Sequence, residues 1–210
     1  MTVQRFMSRS LVIMGCLTIA NSMIGCAGGV NIGGTNRMSL SSRVNPETFL
    51  ASDFNTAIYN YTDDNHVDLL LIDGSPDDPN LVVHLEMFWS PNAGYTPVDR
   101  RGTNSTLRFV VFTGQGVGVY RGAGFVYPKS KPKDGTLKGE LRDTTLRLVD
   151  ASDSFRDPLE IARAIGVFNA ERDDVATRQL LGRIERMVGE ELGYPVLVND
   201  TDRQDQVAAR

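Results

Sequence analysis

Cysteine is nearly missing from this sequence: Cys16 and Cys26 are the only two in 210 residues. Everything after them is free of thiols, which excludes a cysteine nucleophile, a thiolate metal site and a disulfide framework there. Histidine is as scarce, with His66 and His84 alone. No His-Glu-x-x-His, Gly-x-Ser-x-Gly or P-loop pattern occurs, so the common catalytic signatures are absent. Clustered positive charge is lacking too. Arg100-Arg101 is the longest run of cations, and 22 basic residues face 26 acidic ones, so the electrostatic footprint of a nucleic-acid binder is missing. Long apolar runs are also missing, and none reaches the roughly 20 residues that a membrane-spanning helix needs.

What is present begins at the N-terminus. MTVQRFMSRS carries Arg5 and Arg9 and no acid, and the uncharged, mostly apolar LVIMGCLTIA follows. A basic segment, a short apolar segment and a small-residue exit predict a secretory signal peptide over 1–25. Ten residues at 1.5 Å rise cover roughly 15 Å, about half a bilayer core. The exit reads Met23-Ile24-Gly25-Cys26. It resembles the lipobox of bacterial lipoproteins, with Met23 in place of the family's usual Leu. The resemblance implies cleavage between Gly25 and Cys26, a diacylglycerol on the Cys26 thiol, and acylation of the new amino terminus. Several acyl chains, at about 0.8 kcal/mol per buried methylene, hold a protein on a bilayer far more firmly than one does. The alternative is an ordinary signal peptide with an incidental cysteine. Ala27, where lipoproteins kept at the inner membrane often carry Asp, implies an outer-membrane location facing the periplasm. Loss of Arg5 and Arg9 would take the net charge from −4 to −6.

Residues 26–46 are rich in Gly, Ser and Asn without apolar periodicity and predict a flexible tether. From 47 to 198 the sequence predicts one β-rich domain, and 199–210 a disordered tail. TAIYNY (56–61) and HVDLLLID (66–73) flank a turn-type tetrapeptide. LVVHLEMFW (81–89), TLRFVVF (106–112), VGVYRGAGFVY (117–127), GTLKGELRD (135–143) and TTLRLVD (144–150) continue as short strands divided by Gly, Pro, Asn and Asp. LEIARAIGVFNAE (159–171) fits a helical face and an alternating strand alike, and Gly166 with its β-branched neighbours favours the strand. Residues 173–192 predict an amphipathic helix, with Val175, Leu180, Leu181, Ile184, Met187, Val188 and Leu192 at three and four spacing. Asp173 or Asp174 caps its start, and Gly193-Tyr194-Pro195 stops it. The expected fold is mainly antiparallel β, a sandwich or barrel-like sheet, with this C-terminal helix.

Candidate sites follow from unusual local patterns. Gly114, Gly116, Gly118, Gly122 and Gly124 share one strand face, with Tyr120 the only bulk among them. Such a stripe means a bent strand, an element lying across it, or a ligand surface. The loop 90–105 with Trp89, Tyr95, Arg100 and Arg101 offers groups that stack on a sugar ring or clasp an acid. Its alternative is a solvated loop with Trp89 in the core. Asp73, Ser75 and Asp77 have the opening spacing of a calcium loop, but Asp78 replaces the needed Gly, and turn chemistry explains the same residues. A zinc site from His66, His84 and a carboxylate requires the two strands to pair in a suitable register. No cofactor motif is present. The expectation is a membrane-anchored, non-catalytic envelope module that binds an envelope protein or glycan. The alternatives are a hydrolase whose site forms only in the fold and an accessory subunit of a larger envelope complex.

Overall fold

The computed structural model describes residues 36–88, 103–129 and 135–194. Alternation of apolar and polar residues builds nine strands there: β1 (Arg37–Ser42), β2 (Phe49–Asp53), β3 (Thr56–Tyr61), β4 (Val67–Ser75), β5 (Asp78–Met87), β6 (Ser105–Thr113), β7 (Gly116–Pro128), β8 (Thr136–Ala151) and β9 (Ile161–Arg172). One helix, α1 (Asp174–Leu192), follows. The order across the sheet is β2-β1-β9-β3-β4-β5-β6-β7-β8, and β8 also pairs with β9. The sheet therefore curls back on itself. All pairings are antiparallel except β3 with β9, which meet in parallel at Ile58↔Glu171 and Tyr59↔Arg172 alone. Two register pairs lace this seam, so the sheet is barrel-like without being evenly sealed.

Period-two alternation sends one residue set inward and the other outward. Inward go Met38, Leu40, Tyr59, Leu69, Leu71, Val83, Leu85, Leu107, Phe109, Tyr120 and Leu137, all buried in one cluster. Outward from β4 to β7 go Leu70, Ile72, Val82, Val110, Val117 and Val119, which would be exposed on a bare barrel. The helix α1 covers them with Ile184 and Val188. Asp173 caps the helix: its carboxylate accepts from the backbone N–H of Val175 (3.2 Å) and Ala176 (2.8 Å). Gly193 closes the other end in the left-handed conformation, φ 77°.

Several expectations need correction. The predicted tether 26–46 contains β1, which pairs with both β2 and β9. In RMSLSS only Met38 and Leu40 are apolar, yet both are fully buried, so a strand of weak sequence signal is held by its neighbours. The body thus begins before residue 47. Segments 135–143 and 144–150, read as two strands, form the single strand β8, with its pairing to β7 and β9 interrupted by register shifts. The ambiguous segment at 159–171 is a strand, burying Ala162, Ala164, Phe168 and Ala170 on one side. The predicted tail and the leader 1–25 lie outside the described residues.

Gly118, Gly122 and Gly124 of the stripe share the inward side of β7 with Tyr120, while Gly114 lies in the exposed turn before it. A Cβ at Gly118 would overlap the Phe155 ring, and one at Gly122 would overlap the Thr145 backbone carbonyl. Of the readings offered for the stripe, an element lying across it is seen at Gly118, and an irregular strand at the register shifts beside Tyr120 and Gly124. Phe155 belongs to the β8–β9 connection, which closes one part of the core through Phe155 and Leu159. Asp157 fastens this connection, accepting from Tyr120 Oη at 2.6 Å and from the N–H of Leu159 at 2.9 Å and Glu160 at 3.0 Å.

Candidate functional site

Strand register places a row of polar side chains across the outer face of the sheet. Asn60 opposes Asp68, Asp68 opposes Glu86, and Glu86 opposes Thr106. A second row, one residue pair along, runs Leu70, His84, Arg108, Arg121, Arg147. Apart from Leu70, which belongs to the apolar patch beneath α1, both rows lie past that patch. Arg178, Leu181, Gly182 and Glu185 of the helix wall one side of a groove of about 310 Å³, and Asn60, Tyr61, Thr62, Asp68 and His84 wall the other.

His84 is the pivot. It is only 6% exposed, and its Nε2 donates to Asp68 Oδ1 at 3.1 Å. The Thr62 hydroxyl donates to the other oxygen, Asp68 Oδ2, at 2.7 Å. Thr106 does the same for Glu86 Oε2 at 2.8 Å, while Arg108 stands 3.8 Å from Glu86 Oε1. Burial pushes the Asp68 carboxyl up. The hydrogen bonds from His84 and Thr62, with the charges of His84 and Arg108, outweigh it and hold the group below the usual carboxylate range. One donor atom each from Asp68, His84 and Glu86 lies within 4.8 Å of the others, a spacing compatible with a shared cation. Asn60 is 2% exposed, and its Oδ1 has no hydrogen-bond partner among the described residues.

Of the candidates singled out in the sequence, Tyr120 is described and is wholly buried, edge-on to Phe155 at 6.5 Å. Burial and its bond to Asp157 push its hydroxyl up. It is an interior residue, not part of a binding surface. Trp89, Tyr95, Arg100, Arg101, Gly25 and Cys26 lie outside the described residues. The two histidines do not converge. His84 opposes Leu70 in the β4–β5 register, four residues beyond His66, roughly 13 Å at strand rise. His66 instead bonds Asp63 at 2.6 Å in an exposed turn. The calcium-like run is a hairpin turn: Asp73 accepts from Ser52 (2.5 Å), Ser75 from the Asp77 N–H (3.2 Å), and Asp77 pairs with Arg183.

Asp68, Glu86 and Asn60 were missed as site residues because nothing local marks them; they meet only through strand pairing. A weak signal existed in His84 with Glu86, which two-residue spacing puts on one face. Comparison of the chain with protein-family models, curated proteins and solved structures finds no match.

Proposed function

We propose that this chain is a lipid-anchored protein of the bacterial envelope, outer-membrane and periplasm-facing, whose body is a non-catalytic binding or assembly module. The observation that carries the reading is Met23-Ile24-Gly25-Cys26 behind a basic and then an apolar segment. The body supports it in two ways. Its interior is packed with Tyr59, Phe109, Tyr120 and a layer of leucines, which leaves recognition to the outer surface. Outside that interior, the sheet carries the groove between α1 and the Asp68–His84 pair, a surface open to a partner.

The rival reading, an envelope hydrolase, is favoured by the His84–Asp68 pair in its groove. In a nucleophilic triad the attacking hydroxyl bonds the histidine. Here the nearby Thr62 hydroxyl bonds the carboxylate instead. The binding reading therefore stands ahead.

Metabolic labelling with a fatty-acid analogue, followed by fractionation, tests the anchor. The native chain should carry label and sediment with membranes, and Cys26→Ala should carry none and leave that fraction. A Cys26→Ala protein that stays firmly in the membrane sinks the proposal. Crosslinking from intact envelopes then identifies what the anchored body holds.

A further inference from the structure

Asp68 and Glu86 face one another directly across β4 and β5. Like charges in that position destabilise a sheet unless a cation stands near, and Arg108 is 3.8 Å from Glu86. We infer that Asp68, His84 and Glu86 form a binding site for a divalent transition cation of the zinc class. This inference is independent of the lipid anchor.

Three observations converge on it. One nitrogen and two carboxylates lie within mutual reach, a donor set suited to zinc and its neighbours in the first transition row. Each carboxylate has one oxygen held by a threonine hydroxyl, Thr62 on Asp68 Oδ2 and Thr106 on Glu86 Oε2. The remaining oxygens are Asp68 Oδ1, 3.1 Å from His84 Nε2, and Glu86 Oε1, which a cation would share with Arg108 at 3.8 Å. Outer partners that fix carboxylate orientation in this way are typical of metal sites. Independently, Asn60 lines the same groove, almost fully buried with its Oδ1 unpartnered. Asn60 stands opposite Asp68 in the strand register, so a water on the cation is the donor that this acceptor lacks. Three protein ligands with the fourth position left to water is the open form of a zinc site. The cation takes the place of the His84 Nε2 proton, which passes to water while the neutral ring keeps its proton on Nδ1, and it lies between the two carboxylates.

The test is calorimetric titration of the full chain in detergent with Zn²⁺ after chelator treatment, with melting curves in chelator as the folding control. One equivalent of zinc should bind per chain. His84→Ala should abolish it. Glu86→Gln preserves shape and the acceptor for Thr106, so it decides the matter if His84→Ala does not fold, and it should weaken binding at least about tenfold. Thr106→Val should weaken it about 10–100-fold, as loss of an outer partner does. His66→Ala, which removes the exposed histidine, should leave binding unchanged. The inference is overturned by absence of stoichiometric uptake in the native chain. Uptake at full strength in Glu86→Gln, or loss of uptake in His66→Ala, overturns it equally.

Discussion

Asp68 shows how one side chain ties acid sensitivity to strand pairing. Its carboxyl is held below the ordinary value of 3.8 in the folded chain by His84, Thr62 and Arg108. A depressed folded value means that the ionised group stabilises the fold above the unfolded value, and that this contribution drains away as pH falls through the folded one. Stability of the native chain, measured by denaturant titration in chelator, should therefore drop below about pH 4 more steeply than that of Asp68→Asn. Parallel curves for the two would remove Asp68 from the acid response. Glycine acts at the same scale by omission. At Gly122 the missing Cβ is the space into which the Thr145 carbonyl of β8 comes, and at Gly118 it admits the Phe155 ring.

The helix is the element on which the outer face depends. Without it Leu70, Ile72, Val82, Val110, Val117 and Val119 would present an apolar sheet to water. Ile184 and Val188 cover that patch, and Leu181 and Glu185, on neighbouring helical positions, reach the polar groove beside it. Ile184→Ala should cost about 2–5 kcal/mol, the usual range for truncating a buried aliphatic chain. Asp173→Ala, which loses the cap, should cost about 0.5–2 kcal/mol. Thermal or urea unfolding checks both, and an Ile184→Ala change no larger than the cap effect would mean that α1 is not the cover described here. The helix is legible in the sequence from its stripe and its caps because both signals are local. Strands β3 through β7 are legible for the same reason, since alternation and turn residues mark them within short windows. Strand β1 is not, because the burial of Met38 and Leu40 depends on β9, more than a hundred residues away in sequence.

At the scale of the molecule, cover is uneven. Strands β4 to β6 are buried on one face by the barrel interior and, at Leu70, Ile72, Val82 and Val110, on the other beneath α1, and each has a neighbour on both edges. Strand β2 sits at the end of the sheet order with Phe49 exposed. The β3–β9 seam is laced by two register pairs alone. Amide hydrogen exchange should accordingly be slowest in β4–β6, faster at the seam, and fastest in β2, since local opening follows buried contacts and exposed backbone bonds. Uniform protection across the sheet would contradict this order.

By itself the sequence determined the class of the fold, the limits of most strands, the helix and its cap, and the chemistry available. Two histidines and no thiol beyond Cys26 are facts of composition that no folding alters. Curling the sheet until β8 and β3 both reach β9 was decided by tertiary structure, as was the meeting of Asp68, His84 and Glu86 on one outer face. The physical reason is register. Alternation says which residues share a face of one strand, but only hydrogen-bonded pairing between strands says which of them stand opposite one another.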